Sequence, residues 1–530
     1  MNKTPLLAAV VLLALFPGAA LAQPIGPDVI VGDLTGPSTW GGNGLTYALS
    51  IGTTSCNVGT QPLTWQAGTP VHPVIGQNMY RLNNGRFEMV GMSWLKHGFT
   101  ALQQTLCGSC NAYPNGNALG VGCSDPYSSG LNGQQSGLGP RHEVNASTGV
   151  FPMPHSQGMP AASNTIDRRL QVSYADLDPS LNAGAQYFAE GQYIHVEDAA
   201  FGNDDNNSSY RRVSVSGSSG NYNFNWSGPT VQQQAAIYAW QAVDSQVNIV
   251  TLDVANDGRF IIAYKGTPIA GTSNTHWEFA IHNLNSDRSA GSVSINTGCT
   301  ATVSNLGFKD IAHHSGDPSN SIDWTGSSTA TGPAWMSTQT FQQNPNGNAL
   351  RWGTLYNYWF DSDTAPTSVT IGLFKPGSSP ATATANLAGI PALPQYQLNS
   401  FNASLDIGGL LSNGSAPATT NAAIGATHNI NFLSFLGGQQ WDFASGNYPL
   451  VPRSSCPLST ASGQIINLDL TDPAFSTWFG GTFSNGPGFS NFNVNFSFPF
   501  AISLSGQMAI IAPNVSDGIS LSQAVRIVFQ

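Results

Sequence analysis

Residues 247–264 read VNIVTLDVANDGRFIIAY, and this stretch decides the fold class that the sequence predicts. Two apolar runs flank Asn256-Asp257-Gly258, and Asn or Asp followed by Gly favours the tight turn of a β-hairpin. Residues 276–282 follow as HWEFAIH, in which apolar and polar side chains alternate as they do along a half-buried strand. The stretch therefore predicts antiparallel β-structure.

The same signals recur on both sides of this stretch. Toward the N-terminus, Asn83-Asn84-Gly85 separates residues 79–82 from residues 86–90, which predicts a second hairpin. Toward the C-terminus, further strands are predicted at residues 349–360, 367–374, 492–500 and 524–529. We therefore expect an all-β or β-dominated, multi-domain protein with sandwich-like antiparallel domains of the jelly-roll or immunoglobulin-like kind.

The N-terminal residues have the parts of a secretory signal peptide in the right order. Lys3 supplies a positive charge, residues 6–16 are apolar, and Ala20-Leu21-Ala22 provides small residues before a cleavage site at Gln23. The apolar run is too short to span a bilayer comfortably. We therefore expect a secreted protein of a bacterial-type cell, located outside the cell, in the periplasm or at the cell surface, without a transmembrane anchor.

Changes in composition divide the mature chain into domains. After the signal peptide at 1–22, we expect a disulfide-containing, β-rich N-terminal domain at 23–160, a β-sandwich-like middle domain at 161–377, a linker at 378–393 and a β-rich C-terminal domain at 394–530. The linker is assigned because it is rich in Ala, Thr, Ser and Pro, which mark connecting segments.

Charge and aromatic content narrow the range of partners. Charged residues make up 8 % of the sequence and the formal net charge is −11. Nucleic-acid binding needs clustered Lys and Arg, so nucleic acid is excluded as a partner. The 12 Trp and 15 Tyr residues suit stacking against sugars, although such side chains also fill cores.

The six cysteines predict a disulfide framework, because export delivers them to an oxidising compartment. Four of them fall within residues 56–123, which favours two bridges there and a third farther along the chain. The alternative for the Cys107-Gly-Ser-Cys110 segment is a redox or zinc motif, but no second motif of this kind accompanies it. The predicted disulfide residues are Cys56, Cys107, Cys110, Cys123, Cys299 and Cys456.

Two stretches of the middle region are candidate metal sites. The first holds Asp310, His313, His314 and Asp317, whose side chains suit a transition metal but lack the spacing that places two ligands on one helical face. The alternative is a polar loop with ordinary hydrogen bonds. A cofactor, if present, would be a divalent metal, either calcium or a transition metal.

The second stretch holds His195 and Glu197, and the oxygen-rich residues 202–207 that follow suit calcium. The calcium-loop spacing of known motifs is missing from it. Asp and Asn beside Gly are also the ordinary residues of turns, which is the alternative interpretation.

Candidate acid–base groups are found in two further places. On the predicted strand at 276–282, Glu278 shares a face with His276 and His282, and the alternative is an ordinary solvent face. Lys96 and His97 lie among apolar residues, where desolvation lowers the pKa of an amine, and His72 is a third candidate member. The alternative for Lys96 is a packed stem with its amine in water.

The sequence supports two alternative functions. The leading hypothesis is a non-enzymatic module for adhesion, assembly or glycan binding, whose partner is an extracellular glycan or another surface protein. It rests on export, low charge, the β pattern and the lack of a recognisable nucleophile or phosphate-binding motif. The rival is a secreted metal-dependent enzyme acting on an extracellular polymer, in which Glu197 or Glu278 would serve as the base.

Overall fold

The computed structural model describes residues 25–218, 220–299, 301–378, 380–387, 394–460, 463–483 and 490–530, so the predicted signal peptide lies outside the described residues. The described chain divides into two compact units. The first contains the residues up to Asn84, Val90–Ala236 and His314–Asp317, and the second contains Gly85–Met89, Ile237–His313 and Pro318–Gln530.

Residues 29–226 form strands that are joined by short helices. The strands are β1 (Val29–Asn43), β2 (Thr46–Asn57), β3 (Leu63–Thr64), β4 (Val74–Asn83), β5 (Arg86–Met92), β6 (Leu95–His97), β7 (Ala118–Leu119), β8 (Ser124–Tyr127), β9 (Leu138–Gly139), β10 (Leu170–Ser173), β11 (Gln186–Ile194), β12 (Ser208–Ser218) and β13 (Asn221–Trp226). The helices are α1 (Ser129–Asn132), α2 (Tyr174–Leu177) and α3 (Val196–Ala200), with 3-10 turns at Pro114–Gly116, Gln135–Gly137 and Arg141–Glu143.

Most of these strands join one large sheet. Its spatial order is β1-β2-β10-β5-β4-β11-β12-β13, with β6, β8 and β9 attached beside it. Asn84 and Gly85 both have positive φ between β4 and β5, as the two-residue turn of a hairpin requires, so the predicted turn is confirmed. Val31, Leu49 and Val172 are buried in the core of this sheet, where each contributes about 1.5–3 kcal/mol of stability.

The second unit begins with α4 (Tyr238–Val243) and continues almost entirely as strands. They are β14 (Asn248–Asp253), β15 (Arg259–Pro268), β16 (Thr275–Asn283), β17 (Ala290–Asn296), β18 (Val303–Lys309), β19 (Thr325–Thr329), β20 (Gly332–Met336), β21 (Thr354–Ser362), β22 (Ser368–Leu373) and β23 (Thr382–Asn386). Toward the C-terminus follow β24 (Ser404–Ile407), β25 (Ala418–Ala422), β26 (His428–Ser434), β27 (Gln440–Gly446), β28 (Ser476–Thr482), β29 (Ser490–Phe496), β30 (Ile502–Ile511) and β31 (Ile519–Phe529), with a 3-10 turn at Arg453–Ser455 between β27 and β28.

Residues 248–386 form two sheets, ordered β14-β15-β16-β21-β18 and β19-β20-β17-β22-β23. The predicted hairpin is confirmed, because Asp253 pairs with Arg259 in register and Asn256 has a φ of +58° in the turn. Ile262 and Tyr358 of the first sheet share one core with Val293 of the second. Burial of apolar side chains from both sheets therefore stabilises this region.

Residues 404–529 form two further sheets, ordered β24-β26-β29 and β25-β31-β30-β27-β28. The β25–β31 pair is parallel, whereas the other pairs in these two sheets are antiparallel. Phe432 and Phe443 come from different sheets and meet edge to face, with ring centroids 5.2 Å apart. Such pairs contribute about 0.5–1.5 kcal/mol beyond burial alone.

The described chain is β-dominated and multi-sheet, as the sequence predicts. Residues 170–226, which the composition assigns to the middle domain, pair in the same sheet as the first strands. Within the predicted linker, Thr382–Asn386 forms a strand that pairs with β22, while residues 388–393 lie outside the described residues. Among the described residues, no helix is long and apolar enough to cross a bilayer.

The cysteines form disulfides in the arrangement that their spacing favours. Cys56 pairs with Cys107, Cys110 with Cys123, and Cys299 with Cys456. The two cysteines of the Cys107–Cys110 segment therefore have different disulfide partners. The first bridge joins the irregular segment between β6 and β8 to β2, the second closes a loop within that segment, and the third joins two distant parts of the second unit.

Candidate functional site

The His–Asp run at residues 310–317 is divided between the two units. Asp310 and His313 belong to the second unit. The side-chain amide of Asn348 donates to the Asp310 carboxylate at 2.5 Å, and burial raises the pKa of Asp310 to about 6. The His313 backbone N–H donates to the Ser321 hydroxyl at 3.0 Å. These contacts tie the strand end to its neighbouring loop.

The other two residues of the run, His314 and Asp317, belong to the first unit. The Nε2 atom of His314 lies 2.9 Å from the Met92 carbonyl oxygen, and its Nδ1 atom lies 2.8 Å from the Ser315 hydroxyl. Asp317 faces His142, with 3.4 Å between the nearest nitrogen and oxygen atoms. Both ring nitrogens of His314 are therefore engaged in hydrogen bonds.

His195 and Glu197 have structural partners. His195 precedes α3, where its Nδ1 atom accepts a hydrogen bond from the Glu197 backbone at 3.1 Å, and its Nε2 atom donates to the Thr64 carbonyl at 2.8 Å. The Glu197 carboxylate accepts from the Thr64 backbone and hydroxyl at 2.8 and 2.6 Å. In the described part of the chain, no group of three or more His, Cys, Asp or Glu side chains is placed to hold a metal ion.

Glu278 and His276 do meet on the outer face of β16, as the alternation predicts. His276 lies between two carboxylates, 2.6 Å from Asp361 and 3.0 Å from Glu278. Burial lowers the pKa of His276, but the two carboxylates more than offset this, and its pKa lies above the usual 6.5. His282 of the same strand is buried apart from this network at the other end of β16. The arrangement is a paired, charged network.

Arg86 completes this network. It donates two hydrogen bonds to Glu278, at 2.8 and 2.5 Å, and its guanidinium carbon lies 3.6 Å from the centroid of the Trp359 ring. The positive charges of Arg86 and of protonated His276 are thus matched by Glu278 and Asp361. Because every charge has a partner, the network has the character of a structural brace between strands.

Lys96, His97 and His72 are buried and lie beside the half-buried His155. His72 and His97 share a hydrogen bond of 2.9 Å, and the rings of His97 and His155 stack with centroids 3.8 Å apart. Burial, followed by the charges of His155, His72 and Lys96, lowers the pKa of His97 to about 2. Parallel stacked rings do not direct their nitrogens at one ion. We call Lys96, His97, His72 and His155 together the histidine stack.

A cavity that is open to solvent lies elsewhere in the first unit. This open cavity of about 830 Å³ is lined by cationic, amide, hydroxyl and aromatic side chains together with Leu131, Ala161 and Ala162. Its lining includes Trp40, Gln134, Gln135, Ser136, Arg168 and Arg169. We call it the arginine pocket.

Short local structures place the walls of the arginine pocket. Trp40 lies on β1, and its indole N–H donates to the Ser50 hydroxyl of β2 at 2.8 Å. The chain passes close to this ring only because Gly133 lacks a side chain, since a Cβ there would lie 2.8 Å from the indole. The Gln135–Gly137 turn follows directly and presents Ser136 at the surface.

Arg169 is held in place by a ring and by backbone oxygens. Its guanidinium carbon lies 3.6 Å from the centroid of the Trp40 ring. Its Nε atom donates to the Gly133 carbonyl at 2.7 Å, and its Nη1 atom donates to the Thr165 carbonyl. In the described part of the chain, its Nη2 atom has no hydrogen-bond partner.

Arg168 adopts an unusual backbone conformation beside it. Its φ is +64°, a region that costs a non-glycine residue about 1 kcal/mol or more and that often occurs at functional sites. Its backbone N–H donates to the Ser315 hydroxyl at 2.7 Å, and its carbonyl accepts from the backbone N–H of Trp94 at 2.9 Å. These bonds fix the conformation that directs the side chain to the pocket lining.

The charges of both arginines lack a carboxylate partner among the described residues. The side chain of Arg168 donates to the carbonyls of Gln135 and Pro160, at 3.3 and 2.5 Å, and its buried Nε atom has no partner. Asp167, the nearest acid in sequence, instead accepts hydrogen bonds from Ser163 and Asn164. The pocket therefore holds two guanidinium charges that no carboxylate of the described residues neutralises.

A second cavity, of about 280 Å³, lies between the two C-terminal sheets. Its lining is almost wholly apolar and aromatic, and Ser445 is its one hydroxyl-bearing side chain among the described residues. Trp478 at its edge is 59 % exposed. With so few polar groups, this cavity offers little to orient a polar ligand.

Comparison of the sequence with known protein families and with curated proteins finds no match. The site must therefore be interpreted from its own geometry. The sequence shows Arg168-Arg169 as a doublet but carries no signal that the two residues line a site. The same doublet occurs at Arg211-Arg212, where Arg211 lies 3.6 Å from Asp33. Only the surroundings distinguish the two doublets.

Proposed function

We propose that the mature protein is a secreted, extracellular or cell-surface β-protein that binds glycan through the arginine pocket, in adhesion or assembly. The observation that carries this proposal is the convergence of Trp40 and the amide, hydroxyl and guanidinium groups in one open cavity. Sugars present both apolar C–H faces and hydroxyls, so they need an aromatic surface together with hydrogen-bonding side chains.

Two polar side chains of the pocket are available to a ligand. The amide of Gln134 and the hydroxyl of Ser136 are exposed and make no hydrogen bond within the described residues. Gln135, in contrast, is held by the carbonyls of Asn164 and Asp167, at 2.7 and 2.9 Å. The pocket thus combines fixed walls with free donors and acceptors, which is the usual arrangement in ligand sites.

The architecture supports the wider setting of this proposal. The disulfides fit an oxidising compartment, in agreement with the signal peptide that the sequence predicts. The pairs of sheets at residues 248–386 and 404–529 each share apolar core residues, which supports sandwich-like domains. We propose that these domains serve as a scaffold and that the first unit carries the ligand site.

The test is a glycan array probed with the purified mature protein, followed by calorimetric titration of the strongest ligand. Removal of one neutral hydrogen bond weakens binding about 3- to 10-fold, and we expect this loss for Gln134→Ala. Gln61→Ala, an exposed glutamine of the same unit outside the pocket lining, is the matched control and keeps the wild-type affinity. If the array shows no bound glycan, or if both variants bind equally, the proposal is wrong.

A further inference from the structure

The unneutralised cations around the arginine pocket indicate what kind of glycan it takes. Arg168 and Arg169 line the pocket, and Lys96 lies directly behind Gly137, where a Cβ would meet its amine at 2.5 Å. The amine of Lys96 contacts the Phe99 ring at 5.3 Å and has no carboxylate partner among the described residues. Arg168 and Arg169 thus place two positive charges in one cavity of a protein whose formal net charge is −11.

Burial makes the charges of Arg169 and Lys96 costly in the free protein. It lowers the pKa of both Arg169 and Lys96, which means that their surroundings disfavour the charged form. A negative group bound beside them would reverse part of this effect. The guanidinium of Arg169 also keeps one nitrogen without a partner, and its plane is fixed by the Trp40 ring.

We infer that the glycan bound in the arginine pocket is acidic, and that Arg168 and Arg169 bind a carboxylate group of its sugar units. The inference rests on the proposed function and adds the chemical class of the ligand. Planar guanidinium groups match the two oxygens of a carboxylate, and such charge-assisted hydrogen bonds are about twice as strong as neutral ones.

The surroundings favour a single acid group on a sugar over a polyanion. Phosphate chains of nucleic acids need cationic contacts spread over an extended face. Here two adjacent arginines line one concavity, and a protein with this net charge repels extended polyanions at low salt. A short acidic oligosaccharide reaches the pocket while leaving the rest of the protein surface untouched.

The test compares one sugar chain with and without its charge. Calorimetric titration of the full mature protein with oligogalacturonate, and with the same oligosaccharide methyl-esterified, changes the carboxylates and nothing else in the sugar. We expect the ester to bind at least about 10-fold more weakly. Arg168→Gln loses this preference, whereas Arg212→Gln, an exposed arginine outside the pocket, retains it.

The outcomes separate the two proposals. Equal affinity for acid and ester, or an unchanged preference in a folded Arg168→Gln protein, overturns the acidic ligand while leaving glycan binding in place. If the array for the proposed function shows no bound sugar and neither oligosaccharide binds, both proposals fail. The comparison of acid with ester on the wild-type protein does not depend on any variant folding correctly.

Discussion

Two tryptophan rings of this protein each carry an arginine, and the surroundings of the two pairs differ. Arg169 lies over Trp40 in the first unit and Arg86 over Trp359 in the second, each with its guanidinium carbon 3.6 Å from the ring centroid. Arg86 is neutralised by two hydrogen bonds to Glu278, whereas Arg169 donates only to backbone carbonyls. The same stacking geometry thus leaves one charge satisfied and the other open to a ligand.

The histidines of the two units repeat this contrast. His276 lies between Asp361 and Glu278, and its pKa is raised above the usual 6.5 because these carboxylates outweigh its burial. His97 lies among His72, His155 and Lys96, and burial together with these neighbours lowers its pKa to about 2. Two neighbouring carboxylates therefore favour the protonated form of His276, whereas burial and basic neighbours disfavour the protonated form of His97.

The largest effect that follows is a loss of stability in acid. The pKa of His97 in the folded protein is far below the unfolded value of 6.5. Between these two pKa values His97 is protonated in the unfolded chain and neutral in the folded protein, so falling pH favours unfolding. The stability that the neutral His97 contributes is fully present above pH 6.5 and is lost as the pH falls. We expect the free energy of unfolding to be lower by about 2–3 kcal/mol at pH 4.5. Urea unfolding of the wild type and of His97→Gln between pH 6.5 and 4.5 measures this contribution as the difference between the two proteins.

The matched variants for this measurement are His97→Gln and His276→Gln. The first flattens the decline in unfolding free energy with falling pH. The second makes the decline steeper, because the raised pKa of His276 contributes stability that is present below pH 6.5 and lost above it. Identical slopes in the wild type and in His97→Gln would show that His97 is not the source.

A smaller effect is expected from the paired network of the second unit. Glu278→Ala leaves Arg86 and His276 without a shared acceptor, and we expect unfolding free energy to fall by about 2 kcal/mol. Asp253→Ala removes the exposed partner of Arg259, and its expected cost is below about 0.5 kcal/mol. Urea unfolding at pH 7 compares the two, and equal losses would contradict the structural role of Glu278.

The strands and turns of this fold were accessible from the sequence because their signals are local. Asn84-Gly85 and Asn256-Asp257-Gly258 have the residue types that positive φ requires, and both turns are confirmed. The extent of the first sheet was not accessible in this way. Its strand β10 lies between β2 and β5, a pairing across more than 75 residues that no local pattern specifies.

The arginine pocket was hidden for a related reason. Its defining property is the lack of a carboxylate near Arg168 and Arg169 among the described residues, and a sequence cannot show which acids lie close in space. The pairing of His276 with Glu278 was predictable from their spacing on one strand, whereas Asp361 comes from the neighbouring strand β21. Candidate sites built within one segment were therefore easier to find than sites assembled from several.

The most direct test of the account places the missing carboxylate in the arginine pocket. Ala162 is exposed and belongs to the pocket lining, so Ala162→Glu supplies an acid and Ala162→Gln supplies the same shape without the charge. Calorimetric titration with oligogalacturonate should show Ala162→Glu binding about 10-fold more weakly than Ala162→Gln. Equal affinities in the two folded variants would contradict the claim that open arginine charges make this pocket a site for acidic glycans.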